Sequence, residues 1–84
     1  MLPKKSNHLL YLVDWDVPRE PQSHRRAFYR YLEKLKLQMD LFGRMSTKSV
    51  LVTTDQRLAE KIYRLACQFG VANIYIAEKF NVDL

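Results

Sequence analysis

The segment at positions 8–17, HLLYLVDWDV, constrains the fold more than any other part of the sequence. It is rich in β-branched and aromatic residues, and Pro18 and Pro21 follow closely, so it predicts a β-strand that ends before the prolines. Side chains alternate along a strand, so one face is entirely apolar and the other carries two carboxylates. The two faces are Leu9, Tyr11, Val13, Trp15 and Val17, against Leu10, Leu12, Asp14 and Asp16. The sequence does not decide which face is covered by helices.

Two amphipathic helices are predicted from apolar residues that recur at helical spacing. The first runs from Ser23, a plausible N-cap, to about Lys36, and the second begins at Thr54 or Asp55 and is closed by Gly70 at the C′ position. The apolar stripes are Phe28, Tyr31, Leu32 and Leu35 in the first helix, and Leu58, Ile62, Leu65, Ala66 and Phe69 in the second.

Three further strands complete the order of elements. Rough alternation at 38–44 and a β-branched run at 49–53 predict a hairpin with its turn around 46–48, and 73–77 reads as a closing strand. The order strand-helix-strand-strand-helix-strand predicts an α+β fold, a ferredoxin-like βαββαβ sandwich with two helices on one face of an antiparallel sheet. We expect a single domain over 1–84, with a flexible basic N-terminal tail at 1–7 and a short C-terminal tail at 78–84.

Charge and cysteine content narrow the class of partner. Fourteen Lys and Arg against nine Asp and Glu give a net charge of +5, which favours polyanions such as DNA or RNA. Cys67 is the only cysteine, so no internal disulfide forms and a cytoplasmic location is expected. No apolar run approaches the length of a membrane span, which predicts no membrane partner. A domain of 84 residues has a modest core, so a homodimer formed through a sheet face or edge is expected.

Asp14 and Asp16 are the strongest candidates for chemistry. Two carboxylates at i and i+2 near the end of a strand aim at one point, and Mg²⁺ is often held by one or two carboxylates together with waters and phosphates. This pattern predicts a Mg²⁺ site at Asp16 and Asp14 with a role in phosphodiester cleavage or in positioning phosphates. The alternative is a structural role, because Asp is common beside Pro where strands end.

Arg25, Arg26 and Arg30 are the candidate nucleic-acid-binding residues. They lie near the positive N-terminus of the first helix, where guanidinium groups can bind phosphates in a bidentate manner. A solvated helix face is the alternative. The same alternative applies with more force to the stripe formed by Arg57, Lys61 and Arg64 in the second helix.

Three segments carry a resemblance to a known family: YLVDWDV at 11–17, RRAFYRYL at 25–32 and LQMDLFG at 37–43. Together they resemble the small CRISPR-associated ferredoxin-like proteins that form the non-integrase subunit of the spacer-acquisition complex, relatives of virulence-associated protein D. Trp15-Asp16-Val17 matches the aromatic, Asp, aliphatic triplet that ends the first strand of that family, whereas Asp40 stands where the family usually has Ser. The resemblance implies homodimers, DNA bound along basic surfaces, a larger protein complex and, in some members, a metal-dependent nuclease whose metal residue would be Asp16.

The sequence therefore fits three classes of function. The first is a dimeric nucleic-acid-binding protein that is also a metal-dependent endonuclease. The second is a non-enzymatic protein-interaction or regulatory module that uses the uncovered sheet face. The third is a small-ligand sensor of the ferredoxin-like class, for which the sequence nominates no ligand.

Overall fold

A computed structural model describes residues 9–78 of the chain, which form four strands and three helices. In chain order these are β1 (Leu9–Asp16), α1 (Gln22–Lys34), α2 (Lys36–Phe42), β2 (Gly43–Thr47), β3 (Val50–Thr53), α3 (Gln56–Cys67) and β4 (Val71–Glu78). The strands form one antiparallel sheet in the order β2-β3-β1-β4. The predicted α+β class with an antiparallel sheet is confirmed, but there are three helices rather than two.

The boundary between the last strand and the predicted C-terminal tail differs from the prediction by one residue. Glu78, assigned to the C-terminal tail, is the last residue of β4. The predicted N-terminal tail at 1–7, residue 8 of the predicted first strand and residues 79–84 lie outside the described residues.

The central strand β1 has its apolar face buried beneath helices. Tyr11, Val13 and Trp15 are buried on that side, whereas Asp14 is half-buried and Asp16 exposed on the other. Tyr11 and Trp15 therefore belong to the hydrophobic core. This settles the question that the sequence left open: the helices cover the apolar face, and the carboxylates lie on the uncovered one.

One hydrophobic core joins α1, α3 and the sheet. Phe28 of α1 and Ile62 of α3 are both fully buried, and Phe28 packs edge-on against Trp15 with ring centroids 5.9 Å apart. Phe69, just after α3, lies 5.8 Å from Phe28 and 4.7 Å from the His24 ring. The C-terminal end of α3 is thus beside the N-terminal end of α1, and the two helices lie side by side on the same face of the sheet.

The predicted start of the first helix is wrong. The N-cap is Pro21, which makes no side-chain cap, and the backbone N–H groups of His24 and Arg25 donate to its carbonyl oxygen instead. The Ser23 hydroxyl is therefore not needed as a cap, because Ser23 already lies within the helix. Tyr31, assigned to the buried stripe, is 49% exposed and packs at the margin against Phe69.

The strand predicted from residue 38 is also wrong over most of its length. Residues 36–42 form α2, which follows α1 after the single residue Leu35, and strand β2 begins only at Gly43. The alternation of Leu37, Met39 and Leu41 suggested a strand, but in the helix only Met39 of these is buried. Lys, Leu, Gln and Met all have high helix propensity, which prevailed over a short alternation.

The second predicted helix, α3, is confirmed with one correction. Asp55 is its N-cap, accepting hydrogen bonds from the backbone N–H groups of Arg57 and Leu58 at 3.0 and 3.3 Å. The helix ends at Cys67 with Gln68 as its C-cap, and Gly70 does not have a positive φ. Gly70 therefore does not serve as a left-handed C′ residue. The hairpin and the closing strand predicted from the sequence are both present, as β2–β3 and β4.

Candidate functional site

Asp14 and Asp16 lie on the uncovered sheet face near the C-terminal end of β1. Asp14 is directly opposite Asn73 of β4, and the Asn73 Nδ2 group donates a hydrogen bond of 3.0 Å to Asp14 Oδ1. Asp16 is opposite Val71 and is exposed. Successive residues on one strand face are about 7 Å apart, so both carboxylates reach the same volume of solvent.

The backbone at Asp16 is held from two sides. A guanidinium N–H of Arg25 donates to the carbonyl oxygen of Val17, and the Arg25 side chain also lies over the Tyr29 ring, with Cζ 5.2 Å from its centroid. On the other side, a Cβ added to Gly70 would overlap the Asp16 carbonyl oxygen and lie 2.9 Å from the Cα of Val17. Gly70 is thus required for close approach to β1.

The donor set at this end of β1 fits one type of cation site and not another. Two carboxylates beside a side-chain amide suit a Mg²⁺ ion that keeps several waters and binds substrate phosphates. Within residues 9–78 there is no group of three or more His, Cys, Asp or Glu side chains that could enclose a metal. The residues present therefore fit a solvent-exposed Mg²⁺ site shared with a substrate, rather than a site that the protein ligates fully.

The other residues of the uncovered sheet face are mainly apolar. They are Leu10 and Leu12 of β1, Val50 and Val52 of β3, and Val71, Tyr75 and Ala77 of β4. Tyr75 is 52% exposed and Val71 is 67% exposed. No helix of the described part of the chain packs on this face, so it is an apolar surface with a carboxylate pair at one end.

Cations lie on the opposite side of the molecule, along α1 and α3. We call this set the basic helix surface; its members are Arg26, Arg30 and Lys34 of α1 and Arg57, Lys61 and Arg64 of α3, all exposed. Among residues 9–78 the one ion pair joins Lys36 to Asp40, with Nζ and Oδ2 3.8 Å apart. None of the six cations is therefore paired with a carboxylate of the described chain.

The three predicted arginines do not form one group. Arg26 and Arg30 belong to the basic helix surface, whereas Arg25 is half-buried and bonded to the loop after β1. Arg26 and Arg30 are also not brought to the carboxylates, because the helices and the two aspartates are on opposite faces of the sheet. The sequence prediction missed Asn73 and Gly70; the only available signal for Asn73 was a polar residue within an otherwise apolar closing strand.

No helix within the described range is long and apolar enough to span a membrane. Comparison with models of protein families, with curated proteins and with solved structures finds no match. The resemblance to the CRISPR-associated family therefore stays a prediction that rests on the three sequence segments.

Proposed function

We propose that this protein is a homodimeric nucleic-acid-binding protein, which contacts phosphates through the basic helix surface and holds Mg²⁺ at Asp16 and Asp14. The observation that carries the proposal is the excess of cations on two adjacent helices, where the six cations of the basic helix surface outnumber the two carboxylates, Glu33 and Glu60, and none is ion-paired within residues 9–78. Unpaired cations concentrated on one side create a positive potential that attracts a polyanion, whereas cations dispersed among carboxylates do not.

The finer fold assignment belongs to the same proposal. A ferredoxin-like sandwich is supported by the sheet order β2-β3-β1-β4, with β1 and β3 central, and by the placement of α1 and α3 on one face. In this interpretation α1 and α2 together are the first crossover helix, interrupted at Leu35. The resemblance to the CRISPR-associated small subunit agrees with a homodimer that binds DNA within a larger complex in the cytoplasm.

Phosphate contact is assigned to Arg26 and Arg30 before Arg25. Arg26 and Arg30 are exposed and one helical turn apart, so both can reach the same backbone strand. Arg25 already donates to Val17, and we assign it to positioning the loop that follows Asp16.

Binding is tested with the purified protein and short DNA and RNA, duplex and single-stranded, across a series of salt concentrations. The double variant Arg26→Gln, Arg30→Gln is expected to weaken binding and to reduce the slope of log K against log salt by roughly 0.9 per lost duplex phosphate contact. The double variant Lys36→Gln, Lys48→Gln is the matched control, because it also removes two exposed positive charges and both lie outside the basic helix surface. Absence of binding by the unmodified protein at low salt contradicts the proposal.

Catalysis is tested separately through Asp16. In the presence of Mg²⁺, Asp16→Asn is expected to abolish strand cleavage at the carboxylate face while leaving the affinity of the basic helix surface unchanged, because the two lie on opposite faces of the sheet. Asp40→Asn, which removes an exposed carboxylate of α2, is the control. Cleavage that survives in Asp16→Asn contradicts the catalytic half and leaves the binding half standing.

A non-enzymatic protein-interaction module is the second candidate, and the apolar uncovered sheet face favours it. Protein contact through this face depends on apolar burial and is expected to be insensitive to salt, whereas phosphate contact weakens steeply as salt rises. The salt series therefore separates the two candidates.

A further inference from the structure

The two edges of the sheet differ in how they are protected. β2 forms one edge; it is short, carries Arg44, and its pairing with β3 is irregular between Met45 and Thr47. Short length, a charged side chain and a bulge are the features that prevent an edge strand from pairing with another chain. This edge is therefore closed to further strands.

Among residues 9–78 the other edge is β4, which is long and regular and carries one charged residue, Glu78, at its end. It pairs with β1 without interruption over all eight residues from Val71 to Glu78. There is no charge and no proline from position 71 to 77, and Val71 and Ile76 are each 67% exposed. A long, regular and apolar edge presents a row of free backbone N–H and C=O groups to a partner strand.

We propose that β4 pairs antiparallel with β4 of a second copy of this chain. The inference deepens the homodimer part of the proposed function, because it names the surface that the two copies share. A two-fold axis perpendicular to the sheet makes the contact isologous, so residues of the same sheet face oppose each other.

The sequence of β4 suits self-pairing. With the axis at Tyr75, Ile74 is opposite Ile76 of the second copy and Glu78 is opposite Ala72. With the axis at Ile74, Ala72 is opposite Ile76 and Glu78 lies beyond the paired strand. In either register no two like charges of β4 face each other, and the charged groups beside Ile74 and Ile76 are one of each sign, Glu60 and Arg64 of α3.

The dimer would place the basic helix surfaces of the two copies side by side. The perpendicular axis keeps both helix layers on one side of a continuous eight-stranded sheet, so the two basic helix surfaces are adjacent. Both carboxylate pairs then lie on the opposite side. A basic layer of doubled length can contact more phosphates of one polyanion than a single copy can.

Cross-linking tests the contact directly, since Cys67 is the only native cysteine. In a Cys67→Ser background, single cysteines are placed at 73, 74, 75 and 76 and oxidised. Opposed strand residues have Cα atoms about 4.5–5.5 Å apart, within disulfide range, so the residue on the two-fold axis is expected to cross-link fastest. Val52→Cys, central on the uncovered face, is the control. Cross-linking at Val52→Cys in preference to the β4 positions overturns the inference.

The oligomeric state supplies the second test, by sedimentation equilibrium over a range of concentrations. Ile76→Lys is expected to raise the dimer dissociation constant at least tenfold, and Val52→Lys to leave it unchanged, with circular dichroism checking that both fold. Loss of the dimer in Val52→Lys alone, or a monomer at every concentration of the unmodified protein, overturns the inference.

Nucleic-acid titration of the same variants distinguishes a failure of the edge contact from a failure of the proposed function. A dimer that passes both tests but binds no DNA or RNA supports the edge contact and contradicts the function. A nucleic-acid-binding monomer supports the phosphate contact and overturns the edge contact.

Discussion

Asn73 and Asp14 face each other across the β4–β1 pair, and the Asn73 amide donates a hydrogen bond of 3.0 Å to one carboxylate oxygen. The bond is exposed and joins the edge strand to the centre of the sheet. It orients Asp14 and leaves its second oxygen available to a ligand. Asn73 is thus the residue beside the carboxylate pair whose substitution reports most directly on cation binding.

Asn73→Asp is expected to increase the stabilisation of the fold by divalent cations. In chelator a second carboxylate opposite Asp14 is expected to lower the unfolding free energy by about 0.5–1 kcal/mol, because like charges directly opposite on a sheet repel. Added Mg²⁺ or Mn²⁺ is expected to restore the loss by binding the native state alone. Thermal unfolding with and without the cation measures both effects.

Asn73→Ala separates loss of the amide donor from gain of charge. Its stability is expected to be close to that of the unmodified protein, because the lost hydrogen bond is exposed, and its stabilisation by cations is expected to be no larger than that of the unmodified protein. If Asn73→Asp unfolds at the same temperature with Mg²⁺ as with chelator, Asp14 and the carboxylate introduced at position 73 do not form a cation site.

Gly70→Ala is expected to destabilise the fold by about 1–3 kcal/mol, the usual cost of overpacking. The added Cβ meets backbone atoms of Asp16 and Val17, which cannot rotate away as a side chain can. Urea denaturation measures the change, with the exposed Gln68→Ala as the neighbouring control expected to stay within about 0.5 kcal/mol. An unchanged midpoint for Gly70→Ala would mean that the end of β1 yields to accommodate a methyl group.

The parts of the fold that the sequence predicted are those that local pattern determines. Alternation placed Asp14 and Asp16 on one face of β1, and helical spacing with an Asp cap located α3. α2 was missed because alternation over a few apolar residues fits a strand as well as a helix. The contact of Gly70 with β1 depends on neighbours that are 54 positions away in the chain.

The candidate site shows the same division. The type and sheet face of its carboxylates were predictable, but their separation from the arginines was not. That separation depends on which side of β1 the helices cover, and both sides of β1 carry apolar residues. The role of Arg25 could not be predicted for a related reason. Its position in the helix sequence is the same whether its side chain is solvated or donates to the Val17 carbonyl oxygen.

Asp55→Ala is expected to destabilise α3 and with it the whole domain by about 0.5–2 kcal/mol. The carboxylate accepts from the N–H groups of Arg57 and Leu58, which have no other acceptor at the start of a helix. Asp55→Asn, which keeps an oxygen at the same place, is expected to retain most of the stability. Equal losses in both variants, measured by urea denaturation, would indicate that the charge rather than the cap is responsible.

Thr53 is 2% exposed and links three elements through its hydroxyl. The Oγ1–H group donates to the carbonyl oxygen of Phe42 at the end of α2, and Oγ1 accepts from the N–H of Asp55 at 3.0 Å, just before α3. Thr53→Val keeps the shape but leaves both backbone groups without a partner. The expected cost is about 1–3 kcal/mol, as for an unsatisfied buried polar group.

Thr53→Ser keeps the hydroxyl and removes the methyl group, so its total stability also falls, by about 1 kcal/mol. The unfolding free energy therefore does not distinguish Thr53→Val from Thr53→Ser. Amide hydrogen exchange distinguishes them. The Asp55 amide is expected to exchange much faster in Thr53→Val than in Thr53→Ser, because only the serine variant still accepts its hydrogen bond. Equal exchange of this amide in both variants would mean that its protection comes from burial and not from the hydroxyl.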